Sequence, residues 1–164
     1  MNESLRLMPG IADAIRQHGV ETYPDECCGA LIGADGLVEH VAPLPNTTEE
    51  GARRRFLIRP SDYKFVEAEA TRLKRELLGF YHSHPDHPAR PSQYDLDHAF
   101  PFFWYVIVSV QQGKPADMTV WRLADDRSQF REAQLQGVGL NLTSGSTEVE
   151  HYEETQRGLW LTRF

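Results

Sequence analysis

Residues 81–95 read YHSHPDHPARPSQYD. Three histidines, three prolines and two aspartates fall within this one stretch. It reads either as a solvated loop or as a metal site whose ligands are laid out in order. The residues before it, Leu77-Leu78-Gly79-Phe80, are strand-like, and the Gly inside the run marks a close backbone approach. On a strand, side chains two apart point the same way. His82 and His84 therefore share a face, and Ser83 takes the other. Two imidazoles so placed can converge on one cation. Zinc favours nitrogen and oxygen ligands near 2 Å in a tetrahedron, and Asp95 supplies a third if the loop folds back. Pro85, Pro88 and Pro91 stiffen that loop and reduce the entropy lost on its return. Three protein ligands leave a fourth position open, as catalytic zinc sites do. Ser92-x-x-Asp95 after Pro91 also has the form of a helix start, with Ser92 as N-cap and an acid three residues on. A residue in a first helical turn can still face a metal, so cap and ligand are compatible roles. His87 reads as exposed, and Asp97 and His98 as solvated.

Working outward, residues 5–18 place Leu5, Met8, Ile11, Ala12 and Ile15 on one apolar helical face. With Pro9 in the first turn, the spacing predicts a helix from about residue 9 to 19, closed by Gly19. CCGALIG and LVEHVAPL, separated by Ala34-Asp35-Gly36, form a predicted hairpin. A polar loop and a short strand, RFLI, follow. PSDYKFVEAEATRLKRELL is the main helix, started by Pro60 and Ser61, with Tyr63, Phe65, Val66, Ala70, Leu73 and Leu77 giving it a partly buried face. FFWYVIVSV is apolar but for Ser109, as suits a central strand covered on both faces. ADMTVWRL is a further strand, and SQFREAQLQGV a strand or short helix. The composition shifts at about residue 137 to Gly and Ser, then acids, then an apolar end with Trp160 and Phe164. The expected organisation is a domain over 1–136 and an appendage over 137–164 that packs on the core or mediates self-association as a homodimer. Interleaved helices, strands and hairpins predict an α/β (α+β) fold with a central mixed sheet flanked by helices.

Composition narrows the function. A chain of 164 residues with a net charge of −7 is unsuited to a phosphate backbone, so a nucleic-acid partner is not expected. No run approaches the roughly 18 apolar residues of a membrane span. The first residues, MNESLRLMPG, lack the pattern of a secretory signal, and a cytoplasmic location is expected. Cys27 and Cys28 are adjacent and unsuited to pairing with each other. A metal-activated water needs a base near it, and residues 81–95 contain no Glu.

The pattern resembles the JAMM, or MPN, metalloisopeptidases. Their hallmark is an early Glu, then His-x-His-Pro, six residues, and Ser-x-x-Asp. Here His82-Ser83-His84-Pro85, six residues DHPARP, and Ser92-Gln93-Tyr94-Asp95 match without a gap. Glu26-Cys27-Cys28-Gly29 is similar to the family's Glu-x-Cys-Gly, and Asn46 and RFLIRP look similar to its later features. The resemblance covers about residues 8–135 and implies an MPN/cytidine-deaminase-like fold. It implies zinc held by His82, His84 and Asp95, Glu26 as general base, and Ser92 as a hydroxyl holding the oxyanion. Cys27 and Cys28 then read as small packing residues. Compactness is similar to that of stand-alone bacterial members, which trim the C-terminus of ubiquitin-like sulfur carriers. The implied function is a zinc metallopeptidase cutting a peptide or isopeptide bond at the C-terminus of such a carrier. The alternatives are a non-catalytic scaffold that binds a ubiquitin-like partner and a small-molecule zinc amidohydrolase.

Overall fold

The computed structural model describes residues 3–46 and 58–138. In chain order it contains β1 (Ser4–Leu7), α1 (Ile11–Thr22), β2 (Cys28–Ala34), β3 (Leu37–Leu44), α2 (Pro60–Arg72), β4 (Glu76–Pro85), α3 (Gln93–His98), β5 (Trp104–Gln111), β6 (Lys114–Leu123) and β7 (Phe130–Gly137). The strands run β1-β3-β2-β4-β5-β6-β7 and close into a barrel through β1, which pairs parallel with both β3 and β7. The sheet is mixed, as expected: β2 and β4 are antiparallel, β4 and β5 parallel.

The two tight hairpins follow from their turn residues. Asp35 and Gly36 join β2 to β3, and Gln112 and Gly113 join β5 to β6, all four with φ between 50° and 81°. Two successive left-handed residues make the turn whose twist matches antiparallel strands. Residues of β5 from Trp104 to Val110 are buried without a break, because strands flank it on both sides and apolar clusters cover both faces.

The sheet separates two cores. On one side α1 packs Ile11, Ala14 and Ile15 against Leu31, Val38, Val106 and Val108. Tyr81 belongs to this side, fully buried, with its hydroxyl 2.7 Å from Nδ1 of His18 on α1. Its ring lies over Gly29, where a Cβ would stand 2.4 Å from it. On the other side α2 packs Val66 and Ala70 against Cys28, Ala30, Ile32 and Phe80. Cys27 and Cys28 face opposite cores and are free thiols, as small packing residues should be.

Some expectations are corrected. Leu5 belongs to β1 and not to a helical face, since residues 4–7 pair with β7. The first helix starts at Ile11 after Gly10, which takes φ 89°, and runs through Gly19 to Thr22. Gly19 does not end it. A Cβ there would approach Val110 to 3.0 Å, so the missing side chain lets the helix sit close to the sheet. The main helix begins at Pro60 as expected but stops at Arg72, where Lys74 takes φ 57° and Arg75 N–H bonds back to the Ala70 carbonyl. Leu77 therefore lies in β4, and Phe65 is exposed. Residues 130–137, left open between strand and helix, are a strand. Residues 55–57 of the RFLI strand, most of the preceding polar loop, and the appendage from residue 139 lie outside the described residues.

The close approach expected at Gly79 is present: a Cβ would stand 1.9 Å from the Trp104 carbonyl oxygen. Gly79→Ala must part β4 from β5 and is expected to cost roughly 2–4 kcal/mol. At Gly36 a Cβ would meet only the Ser4 carbonyl oxygen, at an ordinary 3.7 Å, so Gly36→Ala is opposed by the left-handed backbone alone, a cost of about 1–2 kcal/mol. Urea unfolding of the two variants measures this ranking.

Candidate metal centre

Strand β4 presents His82 and His84 on the face turned towards α2 and α3. Their ring centroids are 4.9 Å apart and both side chains are buried. The chain leaves β4 at Pro85, crosses the proline-rich loop and re-enters as α3. Ser92 caps that helix: its Oγ accepts the Asp95 N–H at 3.1 Å, and Asp95 Oδ2 accepts the Ser92 N–H at 2.8 Å. This reciprocal capping box turns the Asp95 carboxylate inward, where it is 8% exposed.

Three potential ligand atoms converge. His82 Nε2 and His84 Nε2 are 3.1 Å apart, and Asp95 Oδ2 lies 3.3 Å from the first and 3.2 Å from the second. Ligands about 2.0–2.2 Å from a tetrahedral zinc ion stand about 3.3–3.6 Å from one another. The triangle is within a few tenths of an ångström of one face of a zinc tetrahedron, on its small side. Donor chemistry agrees. Nδ1 of His84 is 2.8 Å from the Pro88 carbonyl oxygen, which can only accept, so Nδ1 carries the proton and Nε2 offers a lone pair. That lone pair meets a carboxylate oxygen, and two acceptors so close call for a positive charge beside them. Burial lowers the His82 pKa, against the partial opposition of Asp95, and so disfavours an imidazolium there. Burial alone would raise the Asp95 pKa. His82 first, then His84 and the Ser92 N–H, more than offset it and hold the carboxylate ionised. Imidazole binds a divalent ion through a neutral ring nitrogen and a carboxylate binds it in its ionised form. His82, His84 and Asp95 are positioned to coordinate a metal ion, in the JAMM zinc arrangement.

Glu26 reaches the same face by strand register. Cys28 pairs with His82 across β2 and β4, so two residues earlier on one strand falls opposite two residues later on the other: Glu26 opposite His84. Beyond the last ladder pair, Ser83 N–H donates to the Cys27 carbonyl at 3.1 Å and Cys27 N–H to Ser83 Oγ at 2.8 Å. The Asn46 side-chain amide donates to the Glu26 carbonyl at 2.9 Å, which fixes the backbone that carries the carboxylate. Glu26 is 4% exposed. Together with His84 and Ser92 it lines a cleft of about 1050 Å³, whose rim includes Pro24, Arg90 and Tyr94. A smaller pocket of about 100 Å³ adjoins the triad on its other side, between Ile58, Phe100 and Tyr105.

All five residues expected from the sequence thus border one site. His87 is exposed, as expected; it lines the same cleft, and its carbonyl accepts the Ser109 hydroxyl. His98 is exposed and stacks on Tyr94 with centroids 4.0 Å apart, so the pair forms a wall of both cavities. The Pro88 carbonyl that orients His84 was not legible in the sequence, because a backbone acceptor carries no residue signature.

Residues 9–124 match the family model of prokaryotic homologs of the JAB domain. The tail tip assembly protein K of Escherichia phage N15 is 35% identical over 83 residues; the match covers 51% of this chain and 31% of that protein, so the chain spans about a third of its length. The CysO-cysteine peptidase of Mycobacterium tuberculosis is 27% identical over 123 residues, which cover 70% of this chain and 80% of the peptidase. A solution structure of a protein from Salinibacter ruber is 42% identical with a TM-score of 0.65, covering 81% of this chain and 91% of that one. Among the described residues no helix is long and apolar enough to cross a membrane.

Two outcomes are expected. In equilibrium dialysis the protein binds one zinc ion per chain, and His84→Ala or Asp95→Ala weakens binding by more than about 100-fold, beyond the loss typical of an outer partner. The metal-free protein loses stability as pH falls below the ordinary histidine value. Burial lowers the pKa of His18 and of His82 below their unfolded values, so the unfolded chain takes up protons first. Stability is full above about pH 6.5 and declines below it. Asp95, whose folded pKa is also depressed, adds a further loss in the carboxylate range. Urea midpoints of metal-free protein on either side of this window should fall on the acid side, and less so in His18→Gln.

Proposed function

The chain belongs to the prokaryotic homologs of the JAB domain, within the JAMM/MPN family, and on that premise we propose that it is a zinc metallopeptidase. Its substrate is a peptide or isopeptide bond at the C-terminus of a ubiquitin-like sulfur-carrier protein. The observation that carries this reading is the placing of Glu26, His84 and Ser92 on the wall of one large cleft, beside the His82–His84–Asp95 triad. The similarity to a CysO-cysteine peptidase over 80% of that enzyme supports the substrate class.

Zinc, when bound, supplies Lewis acidity that polarises a carbonyl and lowers the pKa of a water from about 15.7 to about 7. The remaining work falls to this chain's side chains. Glu26 takes the proton of the attacking water and returns it to the departing amine, so one carboxylate serves as base and then acid. The Ser92 hydroxyl accepts the Asp95 N–H and keeps its own proton to donate. That donor stabilises the oxygen of the tetrahedral intermediate, where charge develops only as the reaction proceeds. Asp95 and the two imidazoles are spent on the metal and take no proton.

Glu26→Gln is expected to lower cleavage by about 10²–10⁴-fold while zinc content and carrier binding stay at the parent level. Ser92→Ala lowers kcat by about 10²–10³-fold. A carrier ending in a Gly-Gly peptide extension is the substrate, and release of the extension is followed by mass spectrometry. Parent-level turnover by Glu26→Gln would remove Glu26 from the mechanism. Hydrolysis of small amides without the carrier would overturn the substrate class.

A further inference from the structure

The loop that joins the ligand strand to the ligand helix is held by the sheet beneath it, one carbonyl after another. The His87 carbonyl accepts Ser109 Oγ at 2.6 Å, the Pro88 carbonyl accepts His84 Nδ1 at 2.8 Å, and the Ala89 carbonyl accepts Thr119 Oγ at 2.6 Å. The middle bond orients a ligand. The outer two come from β5 and β6. Register explains why they reach the loop. His84 pairs with Ser109, His82 with Ile107, and Ile107 with Thr119. Paired residues share a face of the sheet, so Ser109 and Thr119 stand on the same face as the ligands. Ser109 also sits where the β5–β6 register shifts, an irregularity of the kind that re-aims side chains.

Each hydroxyl is itself directed. Gln111 Nε2 donates to Ser109 Oγ at 2.7 Å, and Trp121 Nε1 donates to Thr119 Oγ at 2.7 Å. Both donors lie two residues further along the same strand. With an incoming proton on each oxygen, the hydroxyl's own proton points to the loop carbonyl. The start of the loop is fixed as well: Asp86 N–H donates to the Val110 carbonyl at 2.7 Å, and its carboxylate accepts the Gln112 N–H and the Tyr23 hydroxyl, both at 2.7 Å.

We propose that Ser109 and Thr119 are positioning residues for the metal centre: they fix the carbonyls on either side of Pro88 so that its own carbonyl locks His84 as the Nδ1–H tautomer, with Nε2 free for the ion. The proposal rests on the triad being a metal site. A ligand histidine whose second nitrogen loses its partner binds metal about 10–100-fold more weakly. Both hydroxyls donate to loop carbonyls and not to the three ligand atoms, and a sequence motif built on ligands passes over them.

The test uses the full chain, with Thr119→Val, Ser109→Ala, the double variant, and Thr119→Ser to restore the hydroxyl. Imidazole nitrogen shifts of the metal-free protein, measured by NMR with labelled histidine, report the His84 tautomer. The parent is expected to be almost wholly Nδ1–H, the double variant a mixture, and Thr119→Ser like the parent. Zinc affinity, by competition with a chromophoric chelator, should fall about 10–100-fold in the double variant and recover in Thr119→Ser. A parent-like tautomer together with zinc affinity within about twofold of the parent overturns the proposal. So does an equal loss in Thr119→Ser, which would trace the effect to packing. If the parent itself takes no zinc, the metal reading fails, while the tautomer measurement still decides the role of the two hydroxyls. If the double variant does not fold, the two single variants decide, each expected to show part of the tautomer shift.

Discussion

An ionised carboxylate in a buried position is the constraint from which the rest of the site follows. A buried charge is costly unless it is paired and hydrogen-bonded: the backbone N–H of Ser92 hydrogen-bonds the Asp95 carboxylate, and a cation held between it and the two imidazoles would pair it. Each partner must be delivered by a different part of the fold. Strand spacing brings the imidazoles, and a helix start brings the N–H. The sheet register then places a second acid, Glu26, across from His84, on the wall of the same cleft.

Much of this was legible in the sequence, for physical reasons. Strand alternation alone put His82 and His84 on one face. Ser92 and Asp95 announced a capping box, and Asp35-Gly36 announced a turn that only left-handed residues make easily. The run 104–110, apolar but for Ser109, has the pattern of a central strand. The failures share a cause. Leu5 fits a helical stripe with Met8 and Ile11 as well as a strand, and only pairing with β7, more than a hundred residues away, settles which. Gly19 carries a local stop signal that the close packing of α1 on Val110 and Ser83 overrides. Leu77 continues a helical spacing that Lys74 has already broken by its backbone. Local rules see neither long-range pairing nor the absence of room for a side chain.

The site was more legible than its supports. Ligands announce themselves by residue type, whereas the groups that aim them are largely anonymous: a proline carbonyl, a serine on one strand, a threonine on the next. Asn46 falls between these cases. It was noted for its likeness to a family feature, and its physical task is to hold the carbonyl of Glu26. The two faces of the sheet divide the labour. One anchors α1 through Tyr81, Gly29 and His18, and the other carries every candidate for chemistry.

The oxygen of Asp95 that faces the imidazoles is the same oxygen that caps α3. A helix of six residues is far below the length at which a helix persists by itself in water. Its order therefore draws on tertiary contacts and on this shared atom. Metal occupancy and the local unfolding of one short segment are in that way thermodynamically linked: an ion that grips the carboxylate also opposes fraying of the turn, and fraying of the turn loosens the grip on the ion.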